Sequence, residues 1–165
     1  MTTEEIVEIL EAESKTGSIL GIDEESTPTA ILVEPESILN VCKILFEKEE
    51  LFFDLLECIT GLDNGVEENT LEVIYHLYSV PFDHKIALKV KLERGDKSNT
   101  ARIESVTSLW KAADWMERET YDLLGIHFEN HPDLRRILLP ADWKGHPLRK
   151  DYSDEEYYHG IKILY

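Results

Sequence analysis

The sequence predicts an α+β domain with a mixed sheet and flanking helices, followed by an extended, irregular C-terminal segment. Apolar residues recur at helical spacing in three stretches, and strand-like alternation lies between the second and the third. The chain has 165 residues, 42% of them hydrophobic, which is enough for one domain with its own core. Three prolines between positions 132 and 147 interrupt regular structure. We therefore expect a domain over residues 1–125 and the extended segment over residues 126–165.

The first helix is predicted at the N-terminus. Thr2 and Glu5 fit a capping box, in which each side chain binds a backbone N–H of the first turn. Ile6 and Leu10 then lie on one helical face together with Ile9. Gly17, further along the chain, favours an end to this helix.

The second helix is predicted directly after a short buried strand. Thr29 to Val33 is an apolar run of strand length, and Pro35 suits the first position of a helix. A stripe of apolar side chains at helical spacing follows, formed by Ile38, Val41, Cys42, Leu45 and Phe46.

Three further stretches predict the main strands of the sheet. Leu51 to Thr60 is apolar, and its length and the following Gly61 favour a strand. Residues 73–78 alternate with apolar or aromatic side chains on both faces. Residues 85–93 alternate strictly between apolar and mostly charged side chains, which is typical of a half-buried strand. Residues 81–83 suit a hairpin loop between these two strands.

The last helix is predicted after a polar turn and a short strand. The turn is expected at Gly95 to Asn99, and the strand at Ala101 to Val106. The helix is expected from Ser108 onwards and to end at Gly125, which occupies the position of a C-terminal cap. The expected buried face consists of Leu109, Ala113, Met116, Thr120 and Leu123.

The charge of the chain excludes several classes of function. Residues 1–68 hold eighteen Asp and Glu against three Lys, a net charge of −15, whereas residues 69–165 have a net charge of −2. Nucleic acids need a basic surface, so we expect no nucleic-acid partner. The chain has no apolar stretch of about 18 residues, and its N-terminus is acidic, so neither a membrane span nor a signal peptide is expected.

Cofactor motifs are absent from the sequence. Cys42 and Cys58 are far apart and lack the Cys-x-x-Cys spacing of cluster ligands, so we expect two free thiols. No glycine-rich phosphate-binding motif occurs. Ser105 and Ser108 lack the flanking glycines of a nucleophile elbow. Four residues could supply a zinc site, although their spacing fits no helical metal motif: His127, His131, Asp133 and His146.

Carboxylates crowd the end of the last helix. Such crowding could raise the pKa of one of them and create a general acid, or it could be balanced by guanidinium groups. We favour an ion-pair lattice, because the sequence supplies both partners. Its expected members are Glu117, Glu119 and Asp122 with Arg118, Arg135, Arg136 and Arg149. Trp110, Trp115 and Trp143 could anchor a partner, but either Trp110 or Trp115 is expected in the core.

The stretch from Glu117 to Tyr152 is the most informative part of the chain. It contains Glu-Arg-Glu at residues 117–119, the run from His131 to Leu138, and the run from Gly145 to Asp151. These residues resemble the signature of the 30-kDa (C) subunit of proton-pumping NADH:quinone oxidoreductase, respiratory complex I.

The resemblance implies a subunit without catalytic, cofactor-binding or metal-binding residues of its own. It implies a place in the hydrophilic arm, packed against the D (49-kDa) subunit and near iron–sulfur subunits. NADH, flavin, iron–sulfur clusters and quinone would bind to the partner subunits, and the isolated chain would be inactive. The chain would reach the membrane only through the complex, on the cytoplasmic side of the inner (cell) membrane.

The resemblance leaves the electron donor open, because the donor binds to other chains. Equivalent subunits of ferredoxin-, F420H2- or hydrogenase-linked membrane complexes are the alternatives, and a metal-dependent hydrolase is a remote one. Candidate residues for the partner interface are Glu117, Arg118, Glu119, Asp122, His131, Asp133, Arg135, Arg136, Trp143, His146, Arg149, Lys150 and Asp151.

Overall fold

A computed structural model describes residues 1–95 and 100–163. Its helices are α1 (Thr3–Glu13), α2 (Ile38–Glu47) and α3 (Ala113–Leu124), with a 3-10 turn at Pro35–Ser37 before α2. Its strands are β1 (Ile19–Asp23), β2 (Ala30–Val33), β3 (Leu55–Gly65), β4 (Thr70–Ser79), β5 (His84–Glu93), β6 (Arg102–Glu104), β7 (His127–Glu129), β8 (Tyr157–Tyr158) and β9 (Ile161–Lys162). No helix in the described part of the chain is long and apolar enough to cross a bilayer.

The main sheet has five strands in the order β1-β2-β5-β4-β3. β2 and β5 run parallel, and all other neighbours in this sheet are antiparallel, which confirms the predicted mixed sheet. β6 and β7 form a separate parallel pair, and β8 and β9 form a small antiparallel hairpin. The α+β fold class is therefore as predicted.

One face of the main sheet carries the hydrophobic core. In β4 every second residue from Leu71 is buried, because successive side chains of a strand point to opposite faces. Side chains from all three helices belong to the same buried cluster, among them Leu10, Leu45 and Leu124. The described order of elements is helix–strand–strand–helix before the three long strands, so the prediction omitted one strand.

The local signals at the first two helices are confirmed. The Thr2 side chain accepts from the N–H of Glu5, and the Glu5 carboxylate accepts from the N–H of Thr2 at 2.8 Å. Along α2 the predicted stripe is buried except for Phe46, which is partly exposed and packs edge-on against the Trp110 ring. Pro35 begins a 3-10 turn rather than the α-helix itself.

The predicted position of β3, Leu51 to Thr60, was wrong by about one helical turn's length, since the strand runs from Leu55 to Gly65. Residues 49–51 form a turn instead, residues 52–54 have no regular structure, and the N–H of Phe53 binds the carbonyl of Leu45 at 2.9 Å. Gly61 does not end the strand but lies inside it. A Cβ at Gly61 would lie 2.4 Å from Leu124 Cδ1, so this glycine lets α3 pack closely on the strand.

Four short strands, β1, β7, β8 and β9, were not predicted. β1 pairs with β2 at the sheet edge and is nowhere fully buried, so its sequence shows no alternation. β7 has three residues, too few for a periodic signal. The predicted strand at Ala101 to Val106 is present as β6, and the predicted turn falls partly on residues 96–99, which lie outside the described residues.

Helix α3 begins at Ala113 and not at Ser108, because residues 107–112 form turns. Of the expected apolar face, Ala113 and Thr120 are buried. Three charged residues of α3 are buried as well: Glu117, Arg118 and Asp122. Trp110 is buried and donates to the carbonyl of Phe53 at 3.1 Å, so it is the predicted core tryptophan. Trp115 is 65% exposed.

Candidate functional site

The carboxylate of Asp122, near the end of α3, organises the segment that follows the helix. Its side chain is fully buried, and Oδ1 pairs with Nη1 of Arg136 at 2.7 Å. Oδ2 accepts from the backbone N–H groups of Ile137, Leu138 and Leu139 at 3.0, 2.8 and 3.0 Å. Burial works to raise the pKa of Asp122, but these four donors outweigh it and lower the pKa below its ordinary value. Asp122 is therefore ionised and holds the segment at neutral pH.

The last carbonyls of α3 are capped by the same segment. The carbonyl of Asp122 accepts from Nδ1 of His146 at 2.9 Å, and that of Leu123 accepts from the N–H of Leu148 at 3.0 Å. The carbonyl of Leu124 accepts from Nε of Arg149. A helix leaves its last carbonyl groups without internal partners and attracts positive charge at this end. The segment thus completes the helix, and we call residues 126–151 the clamp segment.

Gly125 is the point at which the chain leaves the helix. It adopts the left-handed conformation with φ of 73°, as its position predicted. A Cβ at this residue would lie 2.5 Å from Nε2 of His146. Burial lowers the pKa of His146, and the charges of Arg136 and Arg149 add to this effect, so the imidazole is neutral when it donates to the helix.

The two adjacent arginines of the clamp segment have different roles. Arg136 is 15% exposed in its side chain and, besides Asp122, binds the carbonyl of Gly145 at 2.9 Å. Arg135 is 71% exposed in its side chain and pairs with Asp133 at 2.9 Å, also at the surface. The predicted lattice is therefore confirmed for Asp122 with Arg136 and wrong for Arg135, whose side chain points outwards.

Two acidic residues of α3 also differ from the predicted lattice. Glu117 is fully buried and accepts from the N–H of Val106 at 2.8 Å, without an arginine partner among the described residues. Burial raises the pKa of Glu117 to about 7, against the opposing effect of the Ser105 hydroxyl and the Val106 N–H. Glu119 is exposed, so it contributes to the surface instead of the lattice.

Arg118 and His131 attach the start of the clamp segment. Arg118 lies over the Trp115 ring at 5.0 Å, pairs with Asp114 at 3.6 Å and donates to the carbonyl of Arg135 at 3.3 Å. The His131 side chain is fully buried, and its Nε2 lies 3.1 Å from the carbonyl oxygen of Asp114. Both side chains therefore serve contacts within the chain.

A second ion cluster holds the end of the clamp segment on the main sheet. Arg94 pairs with Asp63 at 2.8 Å, with side chains 4% and 1% exposed, and it also pairs with Asp151. The N–H of Lys150 binds Asp63 Oδ2 at 2.7 Å. Sequence reasoning missed Asp63 and Arg94, because no local pattern links three residues so far apart in the chain.

The histidines considered as zinc ligands are used for other contacts. His127 and His146 each pack against the Tyr121 ring, at 6.4 Å between ring centroids. His131 binds the backbone of Asp114 and of Asp133 through its two nitrogens. Within residues 1–95 and 100–163, no group of three or more His, Cys, Asp and Glu is arranged to hold a metal ion.

Trp143 anchors the tail of the chain. Its Nε1 donates to the Tyr152 hydroxyl at 3.1 Å, and its ring packs against Tyr158 with centroids 5.4 Å apart. Tyr158 and His159 both bind the carboxylate of Asp142. Trp143 is therefore half-buried by its own chain.

Large side chains nevertheless remain exposed on and beside the clamp segment. Leu138 is 59% exposed and Leu148 is 57% exposed, although their backbones are bound to α3. Trp115 lies on α3 itself, over Arg118. We call Trp115, Arg135, Leu138 and Leu148 the outer surface; sequence reasoning missed the two leucines, whose exposure no periodic pattern indicates.

Comparison with known proteins identifies the family of this chain. The family model described as "Respiratory-chain NADH dehydrogenase, 30 Kd subunit" matches residues 31–158. The C subunit of the NADH-quinone oxidoreductase of Geotalea uraniireducens is 41% identical over 152 residues, covering 90% of this chain and 89% of the relative. That of Chloroherpeton thalassium is 48% identical over 120 residues, covering 72% of this chain and 48% of the relative.

Two solved structures have the same fold. A chain of the membrane-bound sulfane sulfur reductase, an archaeal respiratory membrane complex, superposes with a TM-score of 0.72 at 25% identity, covering 91% of this chain and 85% of the other. The trypsin-resistant fragment (1-134) of Nqo5 superposes with a TM-score of 0.61 at 27% identity, covering 81% of this chain and all of the fragment. The chain therefore belongs to the family of the 30-kDa subunit of respiratory-chain NADH dehydrogenase.

Proposed function

We propose that this chain is a subunit without a redox centre in the hydrophilic arm of proton-translocating NADH:quinone oxidoreductase. The observation that supports this role is the clamp segment, which is fixed to α3 by the buried Asp122–Arg136 ion pair and by backbone contacts yet presents large apolar side chains outwards. A fixed backbone with exposed apolar anchors suits docking to a partner, because little conformational freedom is lost on binding. The electron transfer itself belongs to the assembled enzyme.

The partner that fits this role is the D (49-kDa) subunit, with iron–sulfur subunits as neighbours. Buried side chains, such as Asp122 of α3 and His131 of the clamp segment, stabilise the segment from within. Contact with the partner falls to the outer surface, where an exposed tryptophan, an arginine and two leucines have the composition of an interface centre. The location that follows is peripheral, on the cytoplasmic side of the membrane.

The outer surface gives a direct test of the partner. We expect the pair of substitutions Trp115→Ala and Leu148→Ala to weaken binding to the D subunit at least about tenfold, since truncated anchors of this kind cost more than about 1 kcal/mol each. The measurement is co-purification with a tagged D subunit, followed by titration of the two purified proteins. Leu20→Ala with Val80→Ala is the matched control, because these side chains are 58% and 55% exposed and lie on β1 and in the turn after β4. Equal loss in both pairs of variants would contradict the proposed interface.

A second candidate is the equivalent subunit of a related membrane complex with another electron donor. The superposition on a chain of the membrane-bound sulfane sulfur reductase favours this candidate. The higher sequence identity to the C subunits of NADH-quinone oxidoreductases, 41% against 25%, favours the first. Reconstitution with NADH-binding subunits distinguishes them, because NADH-dependent quinone reduction requires those subunits.

The isolated chain is expected to be inactive and free of cofactor. Burial raises the pKa of the Cys42 thiol, so it stays protonated and is a poor cluster ligand. We expect dialysed protein to contain no stoichiometric zinc, iron or flavin by metal analysis and absorbance, and to reduce no quinone with NADH. The assembled complex in the same assay is the positive control. One tightly bound metal per chain would contradict this prediction.

A further inference from the structure

Glu117 occupies the meeting point of α3, the main sheet and the clamp segment. Its side chain is fully buried. One oxygen, Oε1, accepts from the N–H of Val106, just after β6. The other, Oε2, has no hydrogen-bond partner among the described residues and lies 4.0 Å from Nε2 of His131. A buried carboxylate oxygen without a donor is costly when the group is charged.

His131 cannot donate a hydrogen bond to Oε2 of Glu117 without losing an existing contact. Its Nδ1 accepts from the backbone N–H of Asp133 at 3.0 Å, so this nitrogen carries no hydrogen. Its Nε2 must be the donor in the 3.1 Å contact with the Asp114 carbonyl, since a carbonyl only accepts. The imidazole is thus neutral, and both of its nitrogens are used to hold the clamp segment.

Apart from the Ser105 hydroxyl and the Val106 N–H, the groups that face Glu117 do not compensate a negative charge. From α3, Asp114 adds a second carboxylate, whose Oδ1 is also buried without a hydrogen bond. From α2 and β4 come the Cys42 thiol and the Tyr75 hydroxyl, both fully buried and neutral. The neighbouring Arg118 directs its guanidinium to Asp114 and to the carbonyl of Arg135.

We propose that Glu117 is a proton-binding site inside this subunit, and that loss of its proton loosens the attachment of the clamp segment at His131. The unpaired Oε2, the neutral His131 and the second carboxylate of Asp114 together favour the protonated acid. Ionisation of Glu117 places a negative charge beside the His131 imidazole, which has no free N–H to donate. The contact between His131 and the Asp114 carbonyl of α3 is therefore the one that loosens. The proposal does not depend on which electron-transfer complex the subunit serves.

The direction of the pH dependence follows from burial. Burial raises the pKa of Glu117 from its ordinary 4.5 to about 7, so folding takes up a proton at this residue between these values. The stability associated with the protonated acid is fully present below about pH 4.5 and is lost as the pH rises through 7. Above that range, the folded chain carries the full cost of a buried charge.

The substitution Glu117→Gln tests the proposal, because glutamine keeps the acceptor for Val106 and cannot ionise. We expect the melting temperature of this variant to equal that of the wild-type chain at about pH 4.5 and to exceed it by roughly 5 °C at about pH 8.5. Glu119→Gln is the matched control on the same helix, since Glu119 is exposed, and its pH profile should follow the wild type. Parallel profiles for the wild type and Glu117→Gln would overturn the proposal.

Two measurements on the folded wild-type chain keep the test independent of stability. Infrared spectra at about pH 6 should contain a band of a protonated carboxylic acid that is lost at about pH 8.5 and is missing in Glu117→Gln. Backbone amides of residues 131–136 should exchange hydrogen faster at the higher pH, after correction for intrinsic rates, in the wild type alone. Absence of the acid band, or equal exchange in the wild type and Glu117→Gln, would contradict the proposed site.

Discussion

Reversing the charge of Arg136 is expected to release the clamp segment from α3. Arg136→Glu would place a carboxylate beside the buried Asp122, whose Oδ1 now lies 2.7 Å from the guanidinium. Breaking one buried ion pair costs about 3–5 kcal/mol, because the remaining charge is left without compensation. The N–H groups of residues 137–139 share the same carboxylate, so we expect their contacts to weaken as well. Urea denaturation of the purified chain measures the loss of unfolding free energy.

The adjacent Arg135 provides the control for this prediction. Arg135→Glu should change the unfolding free energy by less than about 1 kcal/mol, since its side chain is 71% exposed and pairs only at the surface with Asp133. Chymotrypsin digestion, which does not depend on arginine, should cut the clamp segment faster in Arg136→Glu and not in Arg135→Glu. If both variants lose the same stability, the buried ion pair does not hold the segment.

Gly125→Ala is expected to have a comparably large effect at the other end of the attachment. Its φ of 73° lies in the left-handed region, which costs a residue with a side chain about 1–2 kcal/mol. The added Cβ would also lie 2.5 Å from Nε2 of His146, so the ring must move away from the end of α3. His146 would then lose its hydrogen bond to the Asp122 carbonyl. We expect a total loss of about 3 kcal/mol or more, measured by urea denaturation.

Gly17→Ala separates the backbone strain from the collision. Gly17 has a φ of 86°, and a Cβ there would meet no atom within 4 Å. We expect a loss of about 1–2 kcal/mol from the left-handed conformation alone. Losses of the same size at both glycines would show that His146 moves aside without cost, and that its position at the helix end is not important for stability.

Local signals in the sequence predicted the helices and the central strands. The capping box of Thr2, the stripe of α2 and the cap at Gly125 depend on residues within one or two turns of each other, so their patterns are readable without the fold. The edge strand β1 and the start of β3 depend on pairing partners, and these were missed or misplaced. Strand limits are decided by which residues a neighbour can bind, and periodicity does not contain that information.

The sequence alone was enough to predict the family, the α+β class and the types of residue that hold the clamp segment. It predicted that carboxylates of the last helix pair with arginines, which is correct for Asp122. The fold was needed to show that Arg136 and not Arg135 is the partner, and that Glu117 is buried without a cation among the described residues. Adjacent arginines are chemically identical in sequence, and the path of the backbone over α3 sets which side chain reaches the buried carboxylate. Burial then determines what each charge costs, so the functional difference between these residues arises only in the folded chain.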